Sequence, residues 1–270
     1  MALSSVLFLL LPTFSDADSI VNLETTVVSA NRTEQNIENT TVSIDVLPQR
    51  LLTSKSNSRI EQVIQMSPGV TIQDGQANIR SGSGWSLGAG SRVLLLVDDL
   101  PVLSPDAGGA IWNAMPMEAI EQIEIVKGAA SSLYGSSALN GVIHLRTWEP
   151  SDEMRIRVNT MTEIYDQAKI NSLNWSNQVR GQGAIRFAYS DSRGENNKHG
   201  WVFHGQALND QGFQYLVGDE SIRVHGKYRY KPSNNFEIGI NANVWSSDRS
   251  SSLIWEDFRF GYTPLDSSAT

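Results

Sequence analysis

Strict alternation of apolar and polar residues dominates the chain beyond residue 150. In SIRVHGKYRY, residues 221–230, Ile222, Val224 and Tyr228 fall on one face of an extended strand, while Arg223 and Lys227 fall on the other. The segments MRIRVN, AIRFAY and NFEIGINANV repeat this pattern and are separated by Gly, Asn, Asp and Ser. The pattern predicts roughly five to seven antiparallel strands, which suits either a soluble sheet with one wet face or the wall of a membrane β-barrel.

The first half of the chain has a different pattern, in which strands alternate with short helices. Ser58 and Glu61 fit a capping box that opens a helix, and the breaker pair Pro68–Gly69 ends it. The apolar run in RVLLLVDD, residues 92–99, predicts a strand buried on both faces, and IEIVKG and GVIHLRT predict two more strands. We therefore expect residues 41–147 to form one small α+β domain.

Composition removes several classes of function. The chain of 270 residues carries a formal net charge of -8 and has no basic run, so we expect no nucleic-acid partner. The absence of cysteine excludes disulfides and thiolate nucleophiles, and the four histidines form no H-x-x-H pair, so we predict no metal site and no cofactor. Glu121 and Glu124 are paired carboxylates without a His or Ser partner at a recognisable spacing, which predicts that the protein is not an enzyme.

The N-terminal residues have the pattern of an export signal. MALSSVLFLLLPTFSDADS contains an apolar run and a small-x-small cleavage pattern, so residues 1–17 are predicted to be a signal peptide. Because the segment has no basic n-region, the alternative that the start codon is placed late within a longer signal stays open.

The glycine-rich loop at 82–90 runs into a strand and not a helix, which argues against dinucleotide binding. Asp98, Asp99 and Asp106 lack the spacing of an EF-hand loop, so we interpret them as solvated turn acids.

Five separated segments, taken together, resemble the TonB-dependent outer-membrane receptors in their order and spacing. They are ETTVVSA at 24–30, SPGV at 67–70, IR at 79–80, RVLLLVDDLPV at 92–102 and IEQIEIVKGAASSLYGSSALNGVIHLRT at 120–147. The resemblance implies a flexible extension at 18–40, an α+β plug domain at 41–150, and antiparallel strands of an incomplete transmembrane β-barrel at 151–270. A closed barrel of this family has about 22 strands, more than residues 151–270 supply.

The resemblance also implies roles for individual residues. The segment at 24–30 is similar to a TonB box, which we expect to be exposed and available for strand addition to the periplasmic energy-coupling protein; its residues are Glu24, Thr25, Thr26, Val27, Val28, Ser29 and Ala30. The plug motif is carried by Arg80, Asp98, Glu124, Lys127, Gly128, Tyr134, Gly135 and Gly141. The sequence departs from the usual motif at Ser81, Asp99, Ala129 and Asn140.

The function implied by the resemblance is active uptake of a scarce small molecule across the outer membrane of a Gram-negative bacterium. The substrate would be a metal chelate such as a siderophore, or cobalamin, and the partners would be the TonB energy-coupling complex and outer-membrane lipid. Outer loops of the plug would contact the substrate through Trp85, Ser86, Asp106 and Trp112. Two alternatives remain open: a non-functional receptor fragment, and a free-standing periplasmic plug-like binding protein, which predicts apolar strand faces that are covered within the chain.

Overall fold

The computed structural model describes residues 25–53, 59–73, 75–82, 92–104, 108–112, 115, 117–167, 178–213, 217–233 and 235–250. Within these ranges the chain forms a mixed sheet in its first half and an antiparallel sheet in its second half. The predicted signal peptide at 1–17 lies outside the described residues.

The first sheet contains five strands within the described part of the chain. They are β3 (Ile44–Pro48), β6 (Val93–Val97), β7 (Leu100–Pro101), β8 (Ile120–Lys127) and β9 (Gly141–Thr147). Their order across the sheet is β3-β8-β9-β6-β7. β6 and β9 pair in parallel, and the other neighbours pair antiparallel. β8 and β9 therefore lie inside the sheet, and β3 lies at one edge.

Short helices and a small hairpin cover the first sheet. The helices are α1 (Gln49–Thr53), α2 (Ile60–Ile64) and α3 (Ser131–Tyr134), and the hairpin joins β4 (Val70–Gln73) to β5 (Gln76–Ile79). The apolar side of α2 packs into the core because Ile60, Val63 and Ile64 are buried together with β6, β8 and β9 residues. α2 begins after Arg59, which makes no side-chain cap, and Ser58 of the predicted capping box lies outside the described residues.

The second sheet is an antiparallel meander with five long strands among the described residues. They are β10 (Arg155–Ile164), β11 (Gly181–Arg193), β12 (His199–Asp210), β13 (Gly218–Ser233) and β14 (Phe236–Ser250). Each strand pairs with the next one along the chain, in the order β10-β11-β12-β13-β14. Among the described residues, no helix is both long enough and apolar enough to cross a membrane.

The alternation predicted for the second sheet is confirmed, and its polar face is the one that is buried. On β13, Arg223 is 6% exposed, whereas its neighbour Ile222 is 60% exposed. Buried polar side chains of the sheet include Arg186, His204, Gln206, His225 and Lys227. The second sheet is thus polar toward the first sheet and apolar on its outside.

Trp148 lies where the two sheets meet. It packs in a buried cluster with Ala119 from the first half of the chain and with Ala188 and Val202 from β11 and β12. The guanidinium groups of two β10 arginines stack on its ring, at 4.3 and 4.7 Å from the ring centroid. This cluster fixes the position of the first sheet against the polar face of the second.

Candidate functional site: the docked N-terminal segment and the contact between the sheets

The N-terminal segment, residues 25–32, is packed against the first sheet. Val27, Ser29 and Ala30 are 0%, 1% and 3% exposed. Residues Thr26–Val27 (β1) pair with Gln35–Asn36 (β2) in a short antiparallel ladder, and the chain turns at residues 28–32. The prediction of an exposed, freely available segment at 24–30 is wrong for residues 26–30, because first-sheet side chains bind its backbone; Glu24 lies outside the described residues.

Glu124 on β8 makes the central contact with this segment. Its Oε2 accepts hydrogen bonds from the backbone N–H groups of Val28 and Ser29, at 3.0 and 2.7 Å. Gln122 on the same strand donates from Nε2 to Glu124 Oε1 at 2.7 Å and to the carbonyl oxygen of Thr26 at 3.0 Å. Burial alone would raise the pKa of Glu124, but the hydrogen bonds from Ser29, Val28 and Gln122 outweigh it and lower the pKa below its ordinary value. The carboxylate is therefore ionised at neutral pH.

His144 on β9 lies directly opposite Glu124 in the strand register and binds the same segment. Its Nε2 accepts the backbone N–H of Asp99 at 3.1 Å, so Nδ1 carries the proton and donates to Ser29 Oγ at 2.8 Å. Burial lowers the pKa of His144, and Arg146 adds to this effect against the opposing carboxylates of Asp99, Glu124 and Asp98. The neutral imidazole is thus the form that holds Ser29.

Tyr134 on α3 also contacts the N-terminal segment. Its hydroxyl donates to the carbonyl oxygen of Ser29 at 3.0 Å, and the guanidinium of Arg32 lies 4.8 Å from the centroid of its ring. Burial, with the nearby carboxylate of Asp99, raises the pKa of Tyr134, so the hydroxyl keeps its proton as a donor. Side chains from β8, β9 and α3 therefore converge on one short backbone stretch.

Asp98 links the same region to the second sheet, and its interpretation as a solvated turn acid is wrong because its side chain is largely buried and paired with a lysine. Its carboxylate accepts from the backbone N–H and hydroxyl of Thr147, at 2.9 and 2.6 Å, and forms an ion pair with Lys227 of β13 at 3.1 Å. Lys227 also donates to Glu149 Oε1 at 2.8 Å and to the carbonyl oxygen of Trp148 at 3.2 Å. Burial would raise the pKa of Asp98, but Lys227 and Thr147 outweigh it and lower the pKa.

Glu118 makes a second charged contact between the sheets. It is 4% exposed, and its Oε1 lies 3.1 Å from His204 Nδ1 while Oε2 lies 3.7 Å from Arg223 Nη2. Burial would raise its pKa, but His204 and Arg223 outweigh burial and lower it. Removing one partner of such a buried ion pair leaves an uncompensated buried charge, which lowers the free energy of unfolding by about 3–5 kcal/mol.

The remaining motif residues build the connection between β8 and β9. Gly128, Gly135 and Gly141 have φ values of 141°, 85° and 153°, and a Cβ on Gly141 would lie 2.3 Å from the carbonyl oxygen of Val126. Lys127 pairs with Asp45 and donates to the carbonyl oxygen of Pro68 at 2.7 Å. These residues hold the connection in place.

Arg80 occupies a tight turn at the end of the β4–β5 hairpin. It has a φ of 53° and donates from Nη2 to Ser43 Oγ at 2.7 Å. Ser81 follows it with a φ of 54°, and the N–H of Gly82 closes the turn on the carbonyl oxygen of Ile79. Arg80 thus ties the hairpin to the residues that precede β3.

The predicted substrate contacts do not come together in the structure. Trp112 is 8% exposed, lies in the core, and donates from its indole N–H to the carbonyl oxygen of Gly75 at 2.7 Å, so its prediction as an outer-facing contact is wrong. A large aromatic ring gains more from burial when its N–H finds a partner there. Trp85, Ser86 and Asp106 lie outside the described residues. Among the residues that the structure describes, no group of three or more His, Cys, Asp or Glu side chains could hold a metal ion.

Sequence reasoning missed several residues of the site, among them Gln122, His144, Glu118 and Lys227. A signal existed for two of them. Gln122 and Glu124 interrupt the apolar strand around Ile123 and Ile125 at a spacing of two, which places both on one face of β8. Lys227 belongs to the polar side of β13 that the alternation did predict, although its carboxylate partner depends on how the sheets pack.

The chain is similar in sequence to a known protein family and to two transporters. Residues 36–142 match the family model described as the TonB-dependent receptor plug domain. The vitamin B12 transporter BtuB of Vibrio vulnificus strain YJ016 is 28% identical over 235 residues, which cover 86% of this chain and 36% of the transporter. The vitamin B12 transporter BtuB of strain CMCP6 is 30% identical over 244 residues, which cover 84% of this chain and 39% of the transporter.

The fold is similar to solved receptor structures. One of them is the ferripyoverdine receptor of the outer membrane of Pseudomonas aeruginosa, bound to ferripyoverdine, which superposes on this chain with a TM-score of 0.62 at 16% sequence identity. The superposed region covers 84% of this chain and 29% of the receptor. These relatives are transporters and receptors, not enzymes. This chain spans between 29% and 39% of their lengths.

Proposed function

We propose that this chain, which carries a TonB-dependent receptor plug domain at residues 36–142, supplies the plug and the first wall strands of an outer-membrane transporter. In this proposal residues 41–150 are the plug, residues 151–270 belong to the barrel wall, and the chain works in the outer membrane of a Gram-negative bacterium after export by the signal peptide at 1–17. The transporter moves its substrate by energy-coupled displacement of the plug.

The observation that carries the proposal is that the second sheet exposes its apolar face and turns its polar face toward the first sheet. Its apolar side chains point away from the first sheet and are exposed; they include Ile156, Val158, Ile185, Phe187, Phe203, Ile222, Val224, Ile240 and Val244. Its charged side chains point inward, where Lys227 and Arg223 meet plug carboxylates. A lipid-facing apolar band around a polar interior is what a barrel wall requires. The alternative of a soluble periplasmic binder predicts the opposite, namely apolar faces covered within the chain.

The substrate in this proposal is cobalamin or a ferric siderophore. Cobalamin is supported by the sequence relatives, since both are vitamin B12 transporters at 28% and 30% identity. A siderophore is supported only by fold similarity to a receptor bound to ferripyoverdine. Substrate contacts are proposed at Trp85, Ser86 and Asp106 in the outer loops of the plug, and Trp112 is not among them because it lies in the core.

The proposed energy-coupling contact is the segment Glu24–Ala30. β-branched residues in this segment favour an extended chain, and an extended chain can add as a strand to the sheet of a partner. The partner in this proposal is the periplasmic part of the TonB complex.

Uptake assays test the proposal directly. The complete open reading frame that contains this chain is expressed in a Gram-negative strain that lacks its own cobalamin and siderophore receptors. Labelled cyanocobalamin and iron-55 siderophores are then supplied separately, with and without a functional TonB. We expect TonB-dependent uptake of cyanocobalamin; uptake of an iron chelate alone would select the second substrate, and equal accumulation in the strain without TonB would refute the transport function.

A further inference from the structure

One carboxylate oxygen of Glu124 accepts hydrogen bonds from two successive backbone N–H groups. The donors are Val28 and Ser29, at 3.0 and 2.7 Å, and both point at Oε2. Successive N–H groups that converge on one anion form a concave anion-binding site in the backbone, usually called a nest. Here the anion is a side chain of the same protein.

This backbone shape is incompatible with a β-strand at residues 28 and 29. In a strand, successive residues face opposite sides, so neighbouring N–H groups point in opposite directions and cannot share one acceptor. The structure agrees, since strand β1 covers only Thr26–Val27 and the chain turns from residue 28 onward. The docked segment must change its backbone conformation before it can add to a partner sheet.

Further backbone groups of the segment are already occupied. The carbonyl oxygen of Thr26 accepts from Gln122, and the carbonyl oxygen of Ser29 accepts from the Tyr134 hydroxyl. Strand addition uses these same main-chain groups to hold the partner. Docking on the first sheet and strand addition to a second protein therefore exclude each other.

We propose that Glu124 is the positioning residue that keeps the N-terminal segment in its docked turn, and that the loss of its two backbone hydrogen bonds is the step that makes the segment available to a strand-adding partner. The identity of that partner rests on the proposed function, whereas the docking contact does not. Glu124 acts only through the segment that it holds.

Spin labelling of the segment tests this role in the full chain. Because the chain has no cysteine, Thr25→Cys provides one labelling position, at a residue that precedes all of these contacts. The nitroxide line shape in outer-membrane preparations then gives the ratio of mobile to docked segment. Glu124→Gln removes the negative charge, and since hydrogen bonds to charged groups are stronger than those to neutral ones, we expect the ratio to rise about tenfold. The matched control is Glu121→Gln, which makes the same change at an exposed position of the same strand and should leave the ratio unchanged.

A second variant and a second readout separate the possible results. Val28→Pro removes one of the two N–H donors without touching the first sheet, and it should also raise the mobile fraction. If both Glu124→Gln and Val28→Pro leave the line shape unchanged, or if Glu124→Gln fails to fold and Val28→Pro leaves it unchanged, the positioning role is overturned. Binding of the purified periplasmic domain of TonB is measured on the Glu124→Gln protein, where we expect tighter binding in proportion to the released fraction. Increased mobility without any TonB binding would retain the role of Glu124 and refute the proposed energy coupling.

Discussion

His144 Nδ1 lies 2.8 Å from Ser29 Oγ, which joins a central strand of the first sheet to a segment 115 residues earlier in the chain. The hydrogen bond requires the tautomer with the proton on Nδ1, and the backbone N–H of Asp99 enforces this tautomer by donating to Nε2. Protonation of Nε2 would place two donors against each other and break the arrangement. The docked state of the segment is therefore sensitive to proton uptake.

Acidification should release the N-terminal segment in two stages. The docked state lowers the pKa of His144 below its ordinary 6.5, so the released state binds a proton more readily and docking weakens as the pH falls below 6.5. The pKa of Glu124 is also lowered in the docked state. Its contribution to the stability of docking is therefore fully present above the ordinary pKa of 4.5 and is lost as the pH falls through the lower pKa of the docked state. Arg146, Asp98, Asp99 and Tyr134 are the other titratable or charged groups around this pair.

The spin label at position 25 checks this prediction. The mobile fraction should rise as the pH is lowered from 7.5, and His144→Gln should remove the first stage while leaving the second. An identical pH profile in the His144→Gln protein would contradict the assignment of the first stage to this histidine.

The ion pair between Asp98 and Lys227 should stabilise the contact between the first and second sheets. Lys227→Met leaves the buried carboxylate of Asp98 without its cation, which should destabilise the first sheet by about 3 kcal/mol. Lys231→Met removes a lysine from an exposed position of the same strand and serves as the control, with little expected effect. Hydrogen exchange of β6 and β9 in denaturant reports the change.

A double-mutant cycle decides whether the two residues act together. Combining Lys227→Met with Asp98→Asn should cost less than the sum of the single changes, by about 1 kcal/mol or more. Additivity within about 0.5 kcal/mol would show that the two side chains contribute independently.

Gly141→Ala and Gly128→Ala form a matched pair that separates backbone strain from steric overlap. Both glycines have positive φ values, but a Cβ at Gly141 would lie 2.3 Å from the carbonyl oxygen of Val126, whereas a Cβ at Gly128 would meet nothing within 4 Å. We expect about 1 kcal/mol of destabilisation at 128 from strain alone, and about 3 kcal/mol or more at 141. Equal unfolding free energies of the two variants would refute the steric explanation.

Ser81→Gly should stabilise the first half of the chain. Ser81 has a φ of 54°, in the left-handed region that glycine adopts without a steric penalty, so the substitution should gain about 1 kcal/mol despite the greater freedom of glycine in the unfolded chain. Ser136→Gly is the control, because Ser136 is exposed and has no positive φ, and it should be neutral or slightly destabilising. Urea unfolding compares the two, and a loss of stability in Ser81→Gly would contradict the strain argument.

The sequence predicts those features that depend on local periodicity. Alternation at Ile222 and Arg223 predicts the two faces of β13, and the apolar run at 93–97 predicts a fully buried strand; both predictions are confirmed. The two departures from the motif at Ser81 and Asp99 fall at φ values of 54° and 67°, in the left-handed region that glycine adopts most readily.

The docking of the N-terminal segment is not visible in the sequence. Val28 and Glu124 are 96 residues apart, and only the packing of the whole sheet brings them within 3.0 Å. A polar, β-branched segment considered alone has no partner and therefore indicates an exposed strand. The same limit applies to Trp112, whose burial depends on a carbonyl group 37 residues earlier in the chain.

The edge position of β3 has a mechanical consequence. This strand follows the N-terminal segment in the chain and, within the described residues, has one neighbour, β8, whereas β8 and β9 are each held on both sides. Traction on the N-terminus would reach β3 before any other strand of the first sheet, and detaching it would break only one ladder of hydrogen bonds. The topology thus lets the strand nearest to the applied force detach by itself, while β6 and β9, which Asp98 and Thr147 join to each other and Asp98 joins to Lys227 of the second sheet, remain assembled.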